Sequence, residues 1–211
     1  MIEVKNQFAK HAVFWVFPLP LVAVLALPAI LPPSDFALSK DEVTFFAESL
    51  GRDVPAITAA ADGIFDRMFI KTHIATSVRD FFVGGNREDG VDLMKTAGKV
   101  SRNYNNAVWL MIYRGLWRMC GLWPVVLSVM LALGMPCLVD GLAVRARKSY
   151  NFQFHNPVFF WSASHSLILI MGLGVFLPFM PYALSPLLLC SFAVLICGAL
   201  WVTAANFQTG N

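Results

Sequence analysis

His165 stands beside Ser162, Ser164 and Ser166 in an otherwise apolar stretch. A histidine among hydroxyls is the residue set from which a proton carrier or an activated nucleophile is built. No third group is placed to orient such a pair, and the basic segment lies only about two helical turns away. The favoured state is therefore a histidine at headgroup level, satisfied by water or by Ser162. Of the other histidines, His11, His73 and His155, none is clearly inside an apolar run, so no two are expected to face each other at matching depth as an intramembrane haem requires. The four cysteines, Cys120, Cys137, Cys190 and Cys197, all fall in apolar runs. Cys190, Ala193 and Cys197 share a helix face, which suits small residues at a helix contact. Metal ligation would need further donors of suitable spacing. The sequence has no phosphate loop, dinucleotide glycine motif, His-Glu-x-x-His or paired-cysteine zinc pattern. The expectation is a non-enzyme with no catalytic residue, cofactor or metal.

The other residues able to do work form the run Asp140-Gly141-Leu142-Ala143-Val144-Arg145-Ala146-Arg147-Lys148, an acid followed by three bases at the end of an apolar segment. Such bases bind anionic headgroups at about 1 kcal/mol each, and Asp140 is placed to pair with Arg145 or the bases beyond it. Alternatively the segment is a docking patch for a cytoplasmic partner. Three bases would give DNA only weak, salt-sensitive affinity, so specific nucleic-acid binding is not expected.

The elements that position these residues follow from composition. The chain is 57% hydrophobic and 14% charged with a mean hydropathy of +0.63, against roughly 25% charged residues in soluble domains. Four runs without charge, Ala12 to Pro33, Met119 to Val139, Pro157 to Met180 and Ala183 to Asn206, are each long enough to cross roughly 30 Å of hydrocarbon. The predicted fold is an all-α membrane protein with four transmembrane helices and a helical insert between the first and second. Its parts are residues 1–33 with the first helix, the extracytoplasmic insert 34–118, and a three-helix membrane region 119–211 that carries a basic cytoplasmic loop at 140–156. The insert holds eleven of the thirteen acids and eleven of the sixteen bases. No aspartate, glutamate, lysine or arginine lies in the middle of a span, which removes the usual sign of an ion-coupled transporter.

Orientation follows from basic residues in short loops. Lys5 and Lys10 precede the first run, and Arg145, Arg147 and Lys148 follow the second. Both termini and the basic loop are expected in the cytoplasm, and the insert in the periplasm. Arg114, Arg118 and Lys40 count against this from the outer side. The first run exceeds the roughly 7 to 15 residues of a signal-peptide core and has no clean cleavage site, so an uncleaved anchor is expected. Pro18, Pro20 and Pro28 each remove a backbone donor, which predicts a kinked or partly broken helix.

Within the insert, Ser39 and Glu42 have the spacing of a capping box, opening a helix from about Lys40 to Leu50. Val54 and Pro55 open a second helix, with Ile57, Ala61, Ile64, Phe65 and Met68 at helical spacing, expected to run to Val83. Gly84-Gly85-Asn86 stops it, and a third helix begins near Arg87 to Asp92. No breaker follows until Gly121 and Pro124, so this helix should enter the membrane without a loop. Trp109, Tyr113 and Trp117 recur every four residues on it, with Trp123 beyond. Rings with a polar edge favour the headgroup level, so the stripe reads as an interfacial aromatic belt.

Leu138 to Tyr150, then Phe152, Phe154 and His155-Asn156-Pro157, resembles the signature of a family of inner-membrane transfer proteins of conjugative plasmids and integrating conjugative elements, TraJ-like and associated with coupling proteins. There Val-Asp-Gly-Leu-Val and a run of bases precede an aromatic stretch and the next span. This chain departs from the pattern at Asn151 and Gln153. The resemblance implies an accessory of conjugative DNA transfer that binds the coupling ATPase and other type IV secretion components. Asp140, Gly141, Arg145, Arg147, Lys148 and Tyr150 would form the docking site, with Asp140 positioning the bases by pairing. Lipids are implied partners, and a homo-oligomer is compatible. The rival is an oligomeric small-solute channel or transporter; Ser162-x-x-x-Ser166 and Ala193-x-x-x-Cys197 permit close helix approach under either.

Overall fold

In a computed structural model, residues 8–83, 92–150 and 157–207 are described, and all their regular structure is helical. The helices are α1 (Phe8–Val16), α2 (Pro18–Ile30), α3 (Lys40–Thr44), α4 (Val54–Phe65), α5 (Ile74–Val83), α6 (Asp92–Val129), α7 (Met135–Tyr150), α8 (Pro157–Phe176) and α9 (Pro186–Ala205). Three helical stretches are long and apolar enough to cross a membrane: Gly98–Lys148, Val158–Phe179 and Pro186–Ala205. They mark the chain as membrane-associated. The first is α6 and α7 joined through a π-helical turn at Met130–Gly134, so the helix that leaves the insert does enter the apolar run without a loop.

The fourth expected span is divided. Pro18 and Pro20 lack backbone donors, and the helix breaks at Phe17 into α1 and α2, each too short to cross alone. Hydrogen bonds still bridge the break, from Phe17 N to Val13 O and from Leu21 N to Phe17 O, both 3.1 Å. The segment is therefore kinked rather than interrupted. The basic segment also differs from expectation, because 140–150 is the last part of α7 rather than loop. Residues 151–156 lie outside the described part.

The chain divides into two units. One comprises Met1–Leu21, Pro124–Val175 and Ser185–Asn211. Here α7 and α9 run in parallel. Cys137 faces Cys197, Asp140 meets Trp201, and Lys148 meets Asn206. At the crossing a Cβ on Gly141 would stand 2.7 Å from Trp201 O and 2.8 Å from Ala204 Cβ, so only glycine allows this approach. In the same unit α1 follows α8, with His11 beside His165 and Trp15 against Gly172. The start of α1 therefore lies toward the start of α8.

The other unit comprises Val22–Trp123 and Phe176–Leu184. Its core includes Phe36, Ala107 and Met111, flanked by Val24, Leu27, Leu31 and Phe179. α4 runs antiparallel to α6: Ile57 lies at Gly121, Thr58 at Trp117, Asp62 at Tyr113 and Phe65 at Trp109. The ring of Phe46 rests on Gly121, where a Cβ would collide with it. The helix expected from Val54 to Val83 is broken: α4 widens into a π-helical turn at Asp66–Ile70, and His73 then takes a φ of 59° before α5. Histidine tolerates this left-handed region better than most residues, which is why periodicity alone gave no warning. The expected glycine stop at 84–86 lies outside the described residues, as does the expected start near Arg87 to Asp92 except for Asp92 itself, where α6 begins.

Candidate functional site

Ser39 caps α3 by accepting from Glu42 N at 3.2 Å. The capping box stops there, because the Glu42 side chain turns inward and is fully buried. Arg114 and Arg118, one turn apart on α6, converge on it and are themselves 2% and 0% exposed. Arg114 donates from Nε and Nη2 to Glu42 Oε2 at 3.1 and 2.7 Å. Arg118 donates from Nε to Oε1 at 2.5 Å and from Nη2 to Oε2 at 3.1 Å. Further guanidinium donors go to backbone. Arg114 Nη1 reaches Asp35 O and Pro181 O at 2.8 and 3.0 Å. Arg118 Nη1 reaches Pro178 O and Met180 O at 3.1 and 2.7 Å, while Nη2 reaches Tyr182 O at 2.5 Å. A planar fork of five donors suits this work in a way an ammonium does not. The cluster therefore ties α3 and the 177–182 turn to α6.

Sequence reasoning missed this cluster. Its signal is two arginines four residues apart just before a charge-free run, a pattern that orientation rules treat only as outer bases.

The aromatic stripe lands in several environments. Trp117 is 1% exposed, packs edge-on against Phe46 at 4.7 Å and donates to Thr58 Oγ1 at 3.0 Å, so its ring faces protein. Trp109 donates to Asn105 and, with Tyr113, clusters around Phe65. Trp123 is 68% exposed. Trp109 and Tyr113, with Pro33, Phe65, Asn106 and Leu110, line an open groove of about 480 Å³. Tyr113, six residues before the charge-free run, donates to Asp62 Oδ1 at 2.7 Å. Burial first, and then the bond to the Asp62 carboxylate, push its phenol up to about 12. A neutral phenol favoured by the fold means stability is lost as pH rises from the ordinary value of about 10 toward the folded one. In a phenolate absorbance titration one tyrosine should ionise near the value of about 12, and Tyr113→Phe should remove that step; an unchanged titration would refute the assignment.

At the end of α7 the basic residues have different tasks. Lys148 Nζ donates to Ala205 O at 3.3 Å and to Asn206 Oδ1 at 3.0 Å, which serves the unfilled carbonyls at the end of α9. The Arg145 guanidinium lies 5.2 Å from the Phe207 ring centroid. Arg147 is exposed, without a side-chain partner among the described residues. The expected pairing of Asp140 with these bases is not what holds it: Asp140 Oδ2 accepts from Trp201 Nε1 at 2.7 Å, and among the described residues it forms no ion pair with the three. Gly141 is buried in the α7–α9 crossing. Tyr150 closes α7, and its side chain lies outside the described residues.

The expectation that no two histidines face each other is corrected. His11 on α1 and His165 on α8 approach to 3.4 Å between Nδ1 and Nε2, with ring centroids 5.6 Å apart. Sequence could not pair them, since 154 positions separate them.

No curated protein and no solved structure matches the chain. A family model described as IncC plasmid conjugative DNA transfer protein DtrJ-like matches residues 34–208, a stretch that takes in α3 to α9 with both the buried ion cluster and the basic end of α7. On that match the chain belongs to the DtrJ-like family of conjugative DNA transfer proteins.

Proposed function

We propose that the chain is a non-enzymatic, four-span accessory of conjugation in the bacterial inner membrane, which engages the coupling ATPase of a type IV secretion system through the cytoplasmic end of α7. The family supports its part in conjugative transfer. Four spans are supported by the backbone bonds that bridge Phe17, since Phe8 to Ile30 at a rise of about 1.5 Å per residue covers about 34 Å. Exposed Val13, Phe14, Phe17, Leu21 and Leu25 on that segment suit lipid. The second span is best taken as Pro124 to Val144, about 31 Å of helix, with Trp123 at its outer end and Arg145 at its inner end.

Helix directions support cytoplasmic termini. α9 ends beside the end of α7, and α1 starts toward the start of α8, so both termini and the basic segment belong to one face. Arg114 and Arg118 weigh less against this orientation than their positions suggest, because Glu42 compensates one of their two charges and both guanidiniums are held in the folded insert. The far-side insert would then be periplasmic and contact envelope components, while lipids surround the spans and a homo-oligomer is compatible with their apolar faces.

The observation that carries the docking proposal is the exposure of Arg147 beside two bases already engaged with the end of α9. Arg147→Glu should lower both transfer frequency and co-purification of the coupling ATPase, at unchanged abundance of the protein in the membrane. Reversing Arg145, Arg147 and Lys148 together should reduce transfer further and also loosen α9. Unchanged transfer in both variants would reduce the basic end to a lipid anchor. Failure to recover the ATPase from gently solubilised conjugating cells would overturn the partner.

A further inference from the structure

We propose that His11 and His165 form a binding site for a divalent metal ion of the zinc type, held between α1 and α8. The ring nitrogens are 3.4 Å apart. That is beyond the usual range of about 2.7–3.2 Å for a hydrogen bond from nitrogen. It matches the separation set by a tetrahedral zinc ion, because two Zn–N bonds of about 2.0–2.1 Å at the tetrahedral angle span about 3.3–3.4 Å.

A second observation concerns the tautomer. His165 Nδ1 lies 2.7 Å from Trp161 O. A carbonyl only accepts, so Nδ1 carries the proton and the lone pair of the neutral ring is on Nε2, the atom that faces His11. Donation from the far ring nitrogen to a backbone carbonyl is how ligating histidines are held and made more basic. His11 in turn must carry its proton on Nε2 so that Nδ1 can ligate.

Both imidazoles are exposed, leaving coordination positions for water. No group of three or more histidine, cysteine, aspartate or glutamate side chains converges among the described residues, so these supply two ligands and leave the other positions to water. Lys10 precedes His11 and is exposed. Its charge opposes a cation, but it also places the pair near the aqueous boundary, where the ammonium can turn to headgroups or water. α8 has no Asp, Glu, Lys or Arg. Such an ion would cross-link the first apolar helix to the third, fixing a contact that includes the nitrogen pair and Trp15 against Gly172.

The test uses the full chain in nanodiscs, stripped by a chelator and titrated with zinc sulfate. Wild type should take up one equivalent that is lost in both His11→Ala and His165→Gln and kept in His73→Ala. As a measurement on unaltered protein, zinc should protect His11 and His165, but not His73, from acylation by diethylpyrocarbonate read by mass spectrometry. No uptake, uptake retained in either pair variant, or equal modification of all three histidines with and without zinc would each overturn the site.

Discussion

Glu42→Ala should be among the most damaging single substitutions in the chain, lowering stability by about 3–5 kcal/mol, the usual cost of stranding a buried charge. The carboxylate is fully buried and receives four donors from Arg114 and Arg118. Removing it leaves two guanidiniums one turn apart, both buried, with nothing to separate their like charges. Against a typical stability of about 5–15 kcal/mol, the loss should show as proteolysis in cells and a large fall in thermal midpoint in detergent. Glu42→Gln should be similarly harmful, because the neutral amide keeps the shape but offers one acceptor oxygen to donors that now need two.

A multiple variant separates charge compensation from bracing of the turn. If the cluster mattered only as a charge pair, Glu42→Leu with Arg114→Met and Arg118→Met should recover most of the loss, as buried ion clusters often tolerate apolar replacement. Arg118, however, also serves carbonyls of Pro178, Met180 and Tyr182, and Arg114 serves Asp35 and Pro181. Recovery should therefore be partial, with the 177–182 turn becoming open to protease. Full recovery, or a Glu42→Ala protein as stable as wild type, would sink this account.

The sequence was most legible where the signal is local. Charge-free runs located the three membrane-length helices, and the absence of a breaker between Asp92 and Gly121 foretold one helix running into the apolar region. Ser39 was readable as a cap because its partner is three residues away. Glu42 was half readable: its backbone obeys the local rule, while its side chain answers to residues 72 and 76 positions on. Trp117 follows the same logic. Its spacing from Trp109 and Tyr113 indicated a shared stripe, yet the ring is core because Phe46 and Thr58 arrive there from elsewhere in the chain. The proline-rich first run was read correctly as kinked, since missing donors are a local fact. What periodicity cannot contain is which helix meets which, and both the His11–His165 approach and the α7–α9 crossing are of that kind.

Gly141 is where docking and packing can be told apart. In the family resemblance it belongs to the motif around the basic segment, whereas in the structure it is buried where α7 crosses α9. A Cβ there would stand 2.7 Å from a backbone oxygen and 2.8 Å from Ala204 Cβ. Neither obstacle can rotate away, so even Gly141→Ala must push the helices apart, at about 1–3 kcal/mol for overpacking. Gly141→Leu should cost more, and separation should release the Asp140–Trp201 and Lys148–Asn206 hydrogen bonds beside it. Gly63→Ala in α4 is the control, because nothing lies within 4 Å of its Cβ position. There the helical backbone should gain about 0.5–1 kcal/mol. Thermal midpoints in detergent should move in opposite directions for the two alanine variants. If Gly141 acted as a docking residue, Gly141→Ala would weaken capture of the coupling ATPase while leaving the midpoint unchanged. If α7 docks the ATPase as proposed, the crossing geometry predicts that capture and midpoint fall together, because Arg147 is carried by the same helix that packs at Gly141.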